Sequence, residues 1–398
     1  MLRQLNRDEA AALLRDKAAW RGAVLLLAAA AFIVRMVIIA HTHGGEDLKL
    51  YTYFSRLALH GVNPFASPRG GTFPPIDGNN PPTEVAAFSA LLGIHNSPTT
   101  LRVLFAAADS AVIWLIGWYY PRPKRWKVAF LTFYAVNPFV LLSWTVYAED
   151  KTILFLGVVA WLLALERARD WYAWAAAAAL AVFKFLGVFA LPAMAYHSVK
   201  KDRLRAVWPI AATSVAFLAS NLPWFPDSLD AFSRRNLRLD IVPPFHASPT
   251  LLLSRLGLYT PLEAKLFPVL ATVVILFMLS RQRIDIRHAV AWSLLAGYIF
   301  LPDDAFNRLL LITLPFMLIS SFSVRVWLAV WLVSLIAALA ALVATRGVPH
   351  VLVPIGSLLA GLFGHEGTLR HVLWMNILPV LVILSHVSGR RRVAPRAS

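Results

Sequence analysis

From residue 22 to residue 40 the chain reads GAVLLLAAAAFIVRMVIIA, with Arg35 as its one charge. Lipid offers a backbone no hydrogen-bond partner, so a stretch like this must close its own hydrogen bonds as a helix, and roughly 20 apolar residues cross the hydrocarbon layer. It is too long for the apolar part of a cleaved leader, and no small-residue cleavage site follows, so it is expected to remain as an anchor. Apolar stretches recur at 99–120, 128–147, 152–165, 204–222, 264–280, 289–301, 305–320, 326–344 and 372–387. With 59% hydrophobic and 15% charged residues and a mean hydropathy of +0.63, the chain is far more apolar than a soluble domain. The expectation is an all-α, polytopic membrane helical bundle of residues 1–398, with about 10–13 transmembrane or half-membrane helices.

The net charge of +17 would suit nucleic acid if it were spread along one soluble face. Instead the excess falls in short loops, among them PRPKRWK, ERARD, KKDRLR and GRRRVAPRAS, on what these spans make one side of the membrane, while the other side balances. That is the charge asymmetry of membrane topology, and it sets both termini in the cytoplasm; nucleic-acid binding is excluded. The absence of cysteine rules out disulfides, thiolate metal sites and a cysteine nucleophile. No Gly-rich phosphate loop, dinucleotide fingerprint or H-E-x-x-H is present, so ATP hydrolysis, zinc proteolysis and nucleotide-sugar use lack support.

The polar interval 41–98 is the first external loop. It opens with Glu46 and Asp47 where the first span meets water, and continues as LKLYTYFSRLALHGVNPF, whose apolar residues Leu50, Tyr53, Phe54, Leu57 and Ala58 fall at helical spacing, as in a helix lying on the membrane surface. Residues 83–94 are apolar but too short to span, and are expected to form a half-helix or interfacial helix below. Arg35 is expected to snorkel outward or to meet a carboxylate of this loop. The segment 171–196 has about the length of one tilted span with Lys184 in its middle. Reading it as one span would send every later basic loop outside, so it is expected to be a broken, re-entrant helix pair with Lys184 near the tip, lining a cavity. Residues 221–263, rich in Pro, aromatics and Arg, form the second external loop.

An acidic pair ahead of Y-x-x-F (Tyr51 to Phe54), then G-x-N-P-F (Gly61 to Phe65), then the proline pair Pro81–Pro82 before an apolar run, resembles the first external loop of GT-C-type glycosyltransferases. Polyprenol-phosphate-mannose-dependent mannosyltransferases are the members it most resembles. The resemblance implies a GT-C-like bundle with large external loops bearing interfacial helices. It implies inverting transfer of a hexose, mannose first, from a polyprenyl-phosphate donor to a lipid-linked or cell-envelope glycan acceptor, on the external face of a bacterial inner membrane. Membrane lipids are the other expected partner, and no cofactor is expected. Such transfer needs a carboxylate to take the acceptor proton and cations to stabilise the departing phosphate. The resemblance gives the base to Asp47, with Glu46 sharing or replacing it; alternatively both are solvated interface charges or partners of Arg35.

Glu149 and Asp150, after Asn137–Pro138, are implied to orient the acceptor or the loop base; alternatively they are a helix-boundary pair neutralised by Lys151. Lys184 opens a K-x-x-x-x-x-x-L-P stretch ending at Pro192 and is implied to meet the donor phosphate, so that Lys184→Met would weaken donor binding without loss of thermal stability; alternatively it snorkels. Arg234, Arg235, Arg238, His246 and Arg308 are further phosphate-clamp candidates, because Arg donors match phosphate geometry. Paired acids with His41, His43 and His246 have no fixed ligand spacing, so no metal is expected. The tryptophans and tyrosines at span ends are expected as interfacial anchors rather than sugar-stacking platforms, with Trp224 in the second loop the one candidate for stacking. A transporter or flippase for a lipid-linked substrate is the rival reading, since a broken helix with a lysine at membrane depth also suits a substrate pathway. A non-catalytic subunit of an envelope assembly complex is the third.

Overall fold

The computed structural model describes residues 7–66, 80–236, 257, 261–300, 313–319 and 324–344. Among the described residues all regular structure is helical: α1 (Arg7–Ala40), α2 (Glu46–Leu59), α3 (Pro82–Ile94), α4 (Pro98–Tyr119), α5 (Lys124–Ala135), a π-helical segment (Val140–Val146), α6 (Lys151–Glu166), α7 (Asp170–Phe183), a 3-10 segment (Phe185–Ala190), α8 (Leu191–Lys201), α9 (Arg203–Asn221), a 3-10 turn (Leu222–Trp224), α10 (Asp227–Asn236), α11 (Pro261–Ser280), α12 (Ile286–Phe300), the helical residues 313–319, and α13 (Val324–Ala344). Three helices in the described chain are long and apolar enough to cross a membrane, within α1, α4 and α9; the bent pair of α5 and the π-helical segment makes a fourth if it is one span. Contiguous apolar side chains stand exposed on α1 (Leu25, Leu26, Ile33, Val37), α9 (Leu204, Val207, Trp208) and α11 (Val269, Leu270, Val273, Phe277). Apolar faces of this size and length are compatible with contact with lipid.

The core lies where α1, α4, α5, the π-helical segment, α6, α7 and α12 meet, around Trp144, Trp161, Phe130, Tyr134 and Phe155. Lipid is as apolar as these side chains, so close packing and buried polar pairs, more than exclusion of water, hold such a bundle together. Arg35 supplies the first such pair. Its Nε lies 2.7 Å from Asp109 Oδ2 and its Nη1 donates to the Ala31 carbonyl at 3.2 Å, while the Tyr134 hydroxyl donates to the other Asp109 oxygen. The expectation that Arg35 snorkels or meets a loop carboxylate is therefore corrected. α1 packs along α4, Asp109 presents itself at the same depth, and a partner inside the bundle relieves the buried charge without bending the side chain to the surface.

The span expected at 128–147 is bent by 54°. Asn137 and Pro138 cause this: Pro138 has no backbone donor, and the Asn137 side-chain oxygen accepts from the Phe139 and Val140 backbone N–H groups, capping a new helical start. The bend directs the following residues toward the start of the first external loop. There the Gly45 N–H donates to the Tyr147 carbonyl at 2.9 Å, and a Cβ at Gly45 would meet that oxygen at 3.1 Å. Arg102 of α4 closes the same end, donating to the carbonyls of Ile39 (3.0 Å), Thr42 and Thr145 (3.3 Å). These carbonyls lie at or just beyond the ends of α1 and the π-helical segment, where the helical hydrogen-bond ladder stops.

The opposite end gathers the basic loops. Trp20 Nε1 donates to the Gly117 carbonyl at 2.9 Å, Lys124 meets Asp16, Arg167 donates to the Tyr119 carbonyl at 2.5 Å, and Arg287 meets Glu166. α7 and α8 both reach this end, where Lys201 Nζ lies 2.5 Å from Asp170 and Trp174 Nε1 donates to Ser198 Oγ at 2.9 Å. Between them the chain turns back. Lys184 is extended (φ −153°, ψ 130°), and the 3-10 segment folds onto α7 so closely that a Cβ at Gly187 would sit 2.8 Å from the Ala181 backbone nitrogen.

Because the two ends of the bundle differ in this way, a cysteine at exposed His60, beyond α2, and one at exposed Lys200 should label from opposite sides of the membrane. In intact cells an impermeant maleimide should reach the His60→Cys protein and leave the Lys200→Cys protein unlabelled until the membrane is opened. Equal labelling of both would contradict this arrangement.

Candidate functional site

The loop end carries a chain of alternating charges that runs from the surface into the interior. Asp47, in the first turn of α2, lies 3.7 Å from Lys151 Nζ. Lys151, the first residue of α6, also reaches Glu149 at 3.2 Å and Asp150 Oδ1 at 3.1 Å. The other oxygen of Asp150 lies 2.9 Å from Lys184 Nζ, an ion pair without hydrogen-bond alignment, and Lys184 donates to Glu84 of α3 at 3.2 Å. Tyr51 of α2 donates its hydroxyl to Asp150 at 3.1 Å and places its ring 5.9 Å from the Lys184 ammonium. Four separate parts of the chain meet here: the paired interfacial helices α2 and α3, the turn after the π-helical segment, and the break between α7 and α8.

Local chemistry explains each position. Gly44 (φ 82°) and the close approach of Gly45 to Tyr147 start α2 directly beside the turn that bears Glu149 and Asp150. Asp47 at the helix start faces the favourable pole of the helix dipole. Tyr51 follows one turn later on the same face, and packs by its ring on Phe88 and Phe105 at 5.5 and 6.4 Å. Pro82 begins α3, which places Glu84 in its first turn. Ser89 Oγ donates to the Ser55 carbonyl at 2.9 Å, fixing α3 against α2.

Burial sets the electrostatics. Glu84, Glu149 and Asp150 are all buried. Burial pushes the Glu84 carboxyl up to about 8 against the pull of Lys184, and pushes Glu149 up to about 8 against the pull of Lys151. Burial alone would raise Asp150 too, but Lys151 and Lys184 together hold its carboxyl well below the usual range. Four carboxylates facing two ammoniums would leave the interior negative; with protons on Glu84 and Glu149 the remaining charges balance. One oxygen of Glu84 is buried with no hydrogen-bond partner among the described residues, a place for that proton.

The candidates read from the sequence separate accordingly. Asp47, Glu149, Asp150 and Lys184 are brought together, and Glu46 is not: its side chain is 79% exposed and pairs with Lys49, whereas Asp47 is 38% exposed and turned to the network. Lys151 does neutralise Glu149 and Asp150, yet these two belong to the wider network as well. Lys184 does not snorkel, being 5% exposed and held by two carboxylates. In this structure Asp150 and Glu84 face the Lys184 ammonium. Arg234 and Arg235 lie on α10, whose side chains at these positions fall outside the described residues, as do Arg238, His246 and Arg308 entirely. α10 itself is tied to the first loop: Asn63 donates to Asp227 at 2.7 Å, and Ala231 packs with Phe54, Phe65 and Val85. Trp224 packs tilted against Phe65, ring centroids 5.5 Å apart, so the G-V-N-P-F stretch contacts the 3-10 turn that begins the second loop.

Sequence reading missed Glu84, Tyr51 and Lys151 as members. Glu84 had a signal, since an acid in the first turn of an otherwise apolar short helix is costly at membrane depth unless a cation meets it. No group of three or more His, Asp or Glu side chains among the described residues is arranged to hold a metal ion. No family model, curated protein or solved structure matches the chain.

Removing Lys184 leaves buried Asp150 with Lys151 alone and takes from Glu84 its hydrogen-bond donor, and truncating one partner of a buried ion pair typically costs about 3–5 kcal/mol. Lys184→Met should therefore lower the melting temperature of the purified protein markedly, in place of the unchanged stability expected from sequence, and adding Glu84→Gln should recover part of the loss. An unaltered or raised melting temperature in Lys184→Met would show that the ion pairs do not hold the site together.

Proposed function

We propose that the chain is an inverting glycosyltransferase of the GT-C type, with its bundle completed by further transmembrane and half-membrane helices to about 10–13 in all. It would take a hexose, mannose first, from a polyprenyl-phosphate donor and place it on a lipid-linked or cell-envelope glycan at the external face of a bacterial inner membrane. The observation that carries this reading is the setting of Asp47: a half-exposed carboxylate at the start of an interfacial helix, on the rim of a buried charge network and 3.7 Å from Lys151. A base must be reachable by a hydroxyl and yet held in place; Glu46, free in solvent beside Lys49, meets only the first condition.

In the proposed step the acceptor oxygen forms a bond to the sugar C1 as the C1–O bond to phosphate breaks, and the hydroxyl proton passes to Asp47. The polyprenyl phosphate departs with the extra charge, which cations already held in place stabilise. Arg234 and Arg235, carried on α10, are the candidates for such cations, and Lys151 lies 3.7 Å behind Asp47. Lys184 serves in this reading as the residue that positions Asp150 and Glu84, with direct phosphate contact requiring exchange for one of them.

One observation favours a second reading, a transporter or flippase for a lipid-linked substrate. Buried Glu84, its carboxyl pushed up to about 8 and facing Lys184 at the α7–α8 break, suits a group that gains and loses a proton as a substrate passes. Lipid-linked product analysis separates the two. In a deletion strain complemented with Asp47→Asn, the glycosylated product should fall by roughly 10²–10⁴ in rate while the protein remains folded, whereas Glu46→Gln should retain most activity. Product formation by Asp47→Asn at the normal rate, or by neither the normal nor the altered protein from a polyprenyl-phosphate donor, would overturn the transferase assignment.

A further inference from the structure

The charge network divides between two parts of the fold. The bundle contributes Glu149, Asp150, Lys151 and Lys184, two carboxylates and two ammoniums, and the first loop contributes Asp47 at the start of α2 and Glu84 at the start of α3. α2 and α3 run parallel, since Tyr51 lies beside Phe88, Ser89 bonds the Ser55 carbonyl, and Gly93 comes against Leu59. Their N-terminal ends therefore meet the bundle side by side. All of these charged residues but Asp47 are buried in the seam.

Fully ionised, the bundle side of this seam is neutral and the loop side carries two negative charges, so the two sides have no net attraction. With a proton on each of Glu84 and Glu149, the bundle side is positive by one and the loop side negative by one, and they attract across a largely buried seam. The protons belong on these two acids because Asp150 faces both lysines, whereas Glu84 faces Lys184 and Glu149 faces Lys151. Burial pushes both carboxyls up to about 8 against the pull of those lysines. The other ionisable groups around the seam do not supply this titration. Burial and the surrounding carboxylates hold the Tyr51 hydroxyl, which donates to Asp150, far from ionising. Arg102 is engaged with the carbonyls of Ile39, Thr42 and Thr145, and His41 and His43 between α1 and α2 are exposed to water.

We propose that the α2–α3 pair is a proton-dependent latch, held on the bundle while Glu84 and Glu149 carry protons and released as both lose them. Asp47 rides on α2, so the latch sets whether this carboxylate stays beside Lys151. Once released, both acids meet water and return toward their ordinary value of 4.5. The latched form thus binds more protons than the released form. It is firmest below that value, loosens as pH rises to about 8, and changes little above. The latch stands independently of the glycosyltransferase reading, because its test reads opening of the loop and not turnover.

Hydrogen exchange of the full chain in detergent tests this across the pH range, each segment's rate being divided by that of an unstructured chain at the same pH to give an opening constant. Between about pH 5.5 and 7.5 the constant for α2 and α3 should rise by about a hundredfold per pH unit, two protons being lost for each opening. Glutamine keeps the size and hydrogen-bonding groups of a protonated glutamate, so the variants retain the latched form. Glu84→Gln or Glu149→Gln alone should reduce the rise to about tenfold per pH unit, and the two together should leave the constant nearly level. A constant that stays level in the unaltered chain would overturn the latch. A rise that persists in the double variant would assign the titration to another group, such as His41 or His43, and overturn it equally. The same rise in α4 and α5 would mean unfolding of the whole bundle in place of a latch.

Discussion

Asp150 lies buried between two lysines, Lys151 beside it in sequence and Lys184 across the bundle, with the Tyr51 hydroxyl on the oxygen that faces Lys151. Each contact ties the turn after the π-helical segment to a different part of the fold: the start of α6, the break between α7 and α8, and the interfacial helix α2. A buried carboxylate so placed is costly unless its partners are all present, because taking charges out of water is repaid only by close, complementary geometry. That dependence makes the arrangement cooperative. The break at Lys184 would otherwise expose an extended backbone and an ammonium at membrane depth, and it persists because Asp150 and Glu84 receive the cation.

The two poles of the molecule handle charge differently. At the basic pole, ion pairs such as Lys201–Asp170 and Arg205–Asp202 are exposed and contribute little to stability individually. At the loop pole, the network is buried, and its protonation decides whether the interior is neutral. Between the poles, Arg35 and Asp109 are paired in the depth of the bundle, where lipid gives neither ion an alternative partner. A charge in this chain therefore acts according to its depth more than its sign.

Much of this was legible in the sequence, and what was not has a common cause. Apolar runs of membrane length announce helices, and among the described residues the structure is all-helical with three to four helices able to span. The bend at Asn137–Pro138 was not read, since 128–147 was expected as one span, although a proline inside an apolar run carries a local signal for it. Asp47, Glu149, Asp150 and Lys184 each stand out as charges beside or within apolar sequence. Their partners did not stand out as a set: Glu84 meets Lys184 across 100 residues, and Tyr51 meets Asp150 across 99. Arg35 likewise finds Asp109 on α4, not a loop acid. No periodicity or spacing encodes such pairings, because packing of helices distant in sequence creates them. The identity of the unpaired charge is written in the sequence, and the identity of its partner is written only in the fold.

The central claim is that Asp150 couples α2 and α3 to the helix break at Lys184. Hydrogen exchange of the folded protein, followed by mass spectrometry with and without Asp150→Asn, measures that coupling segment by segment, since amides report local opening free energies. The account predicts faster exchange in α2, in α3 and around residues 184–190 of the Asp150→Asn protein, with the packed α1, α4 and α6 unchanged. Unaltered protection of α2 and α3 in that variant would contradict it.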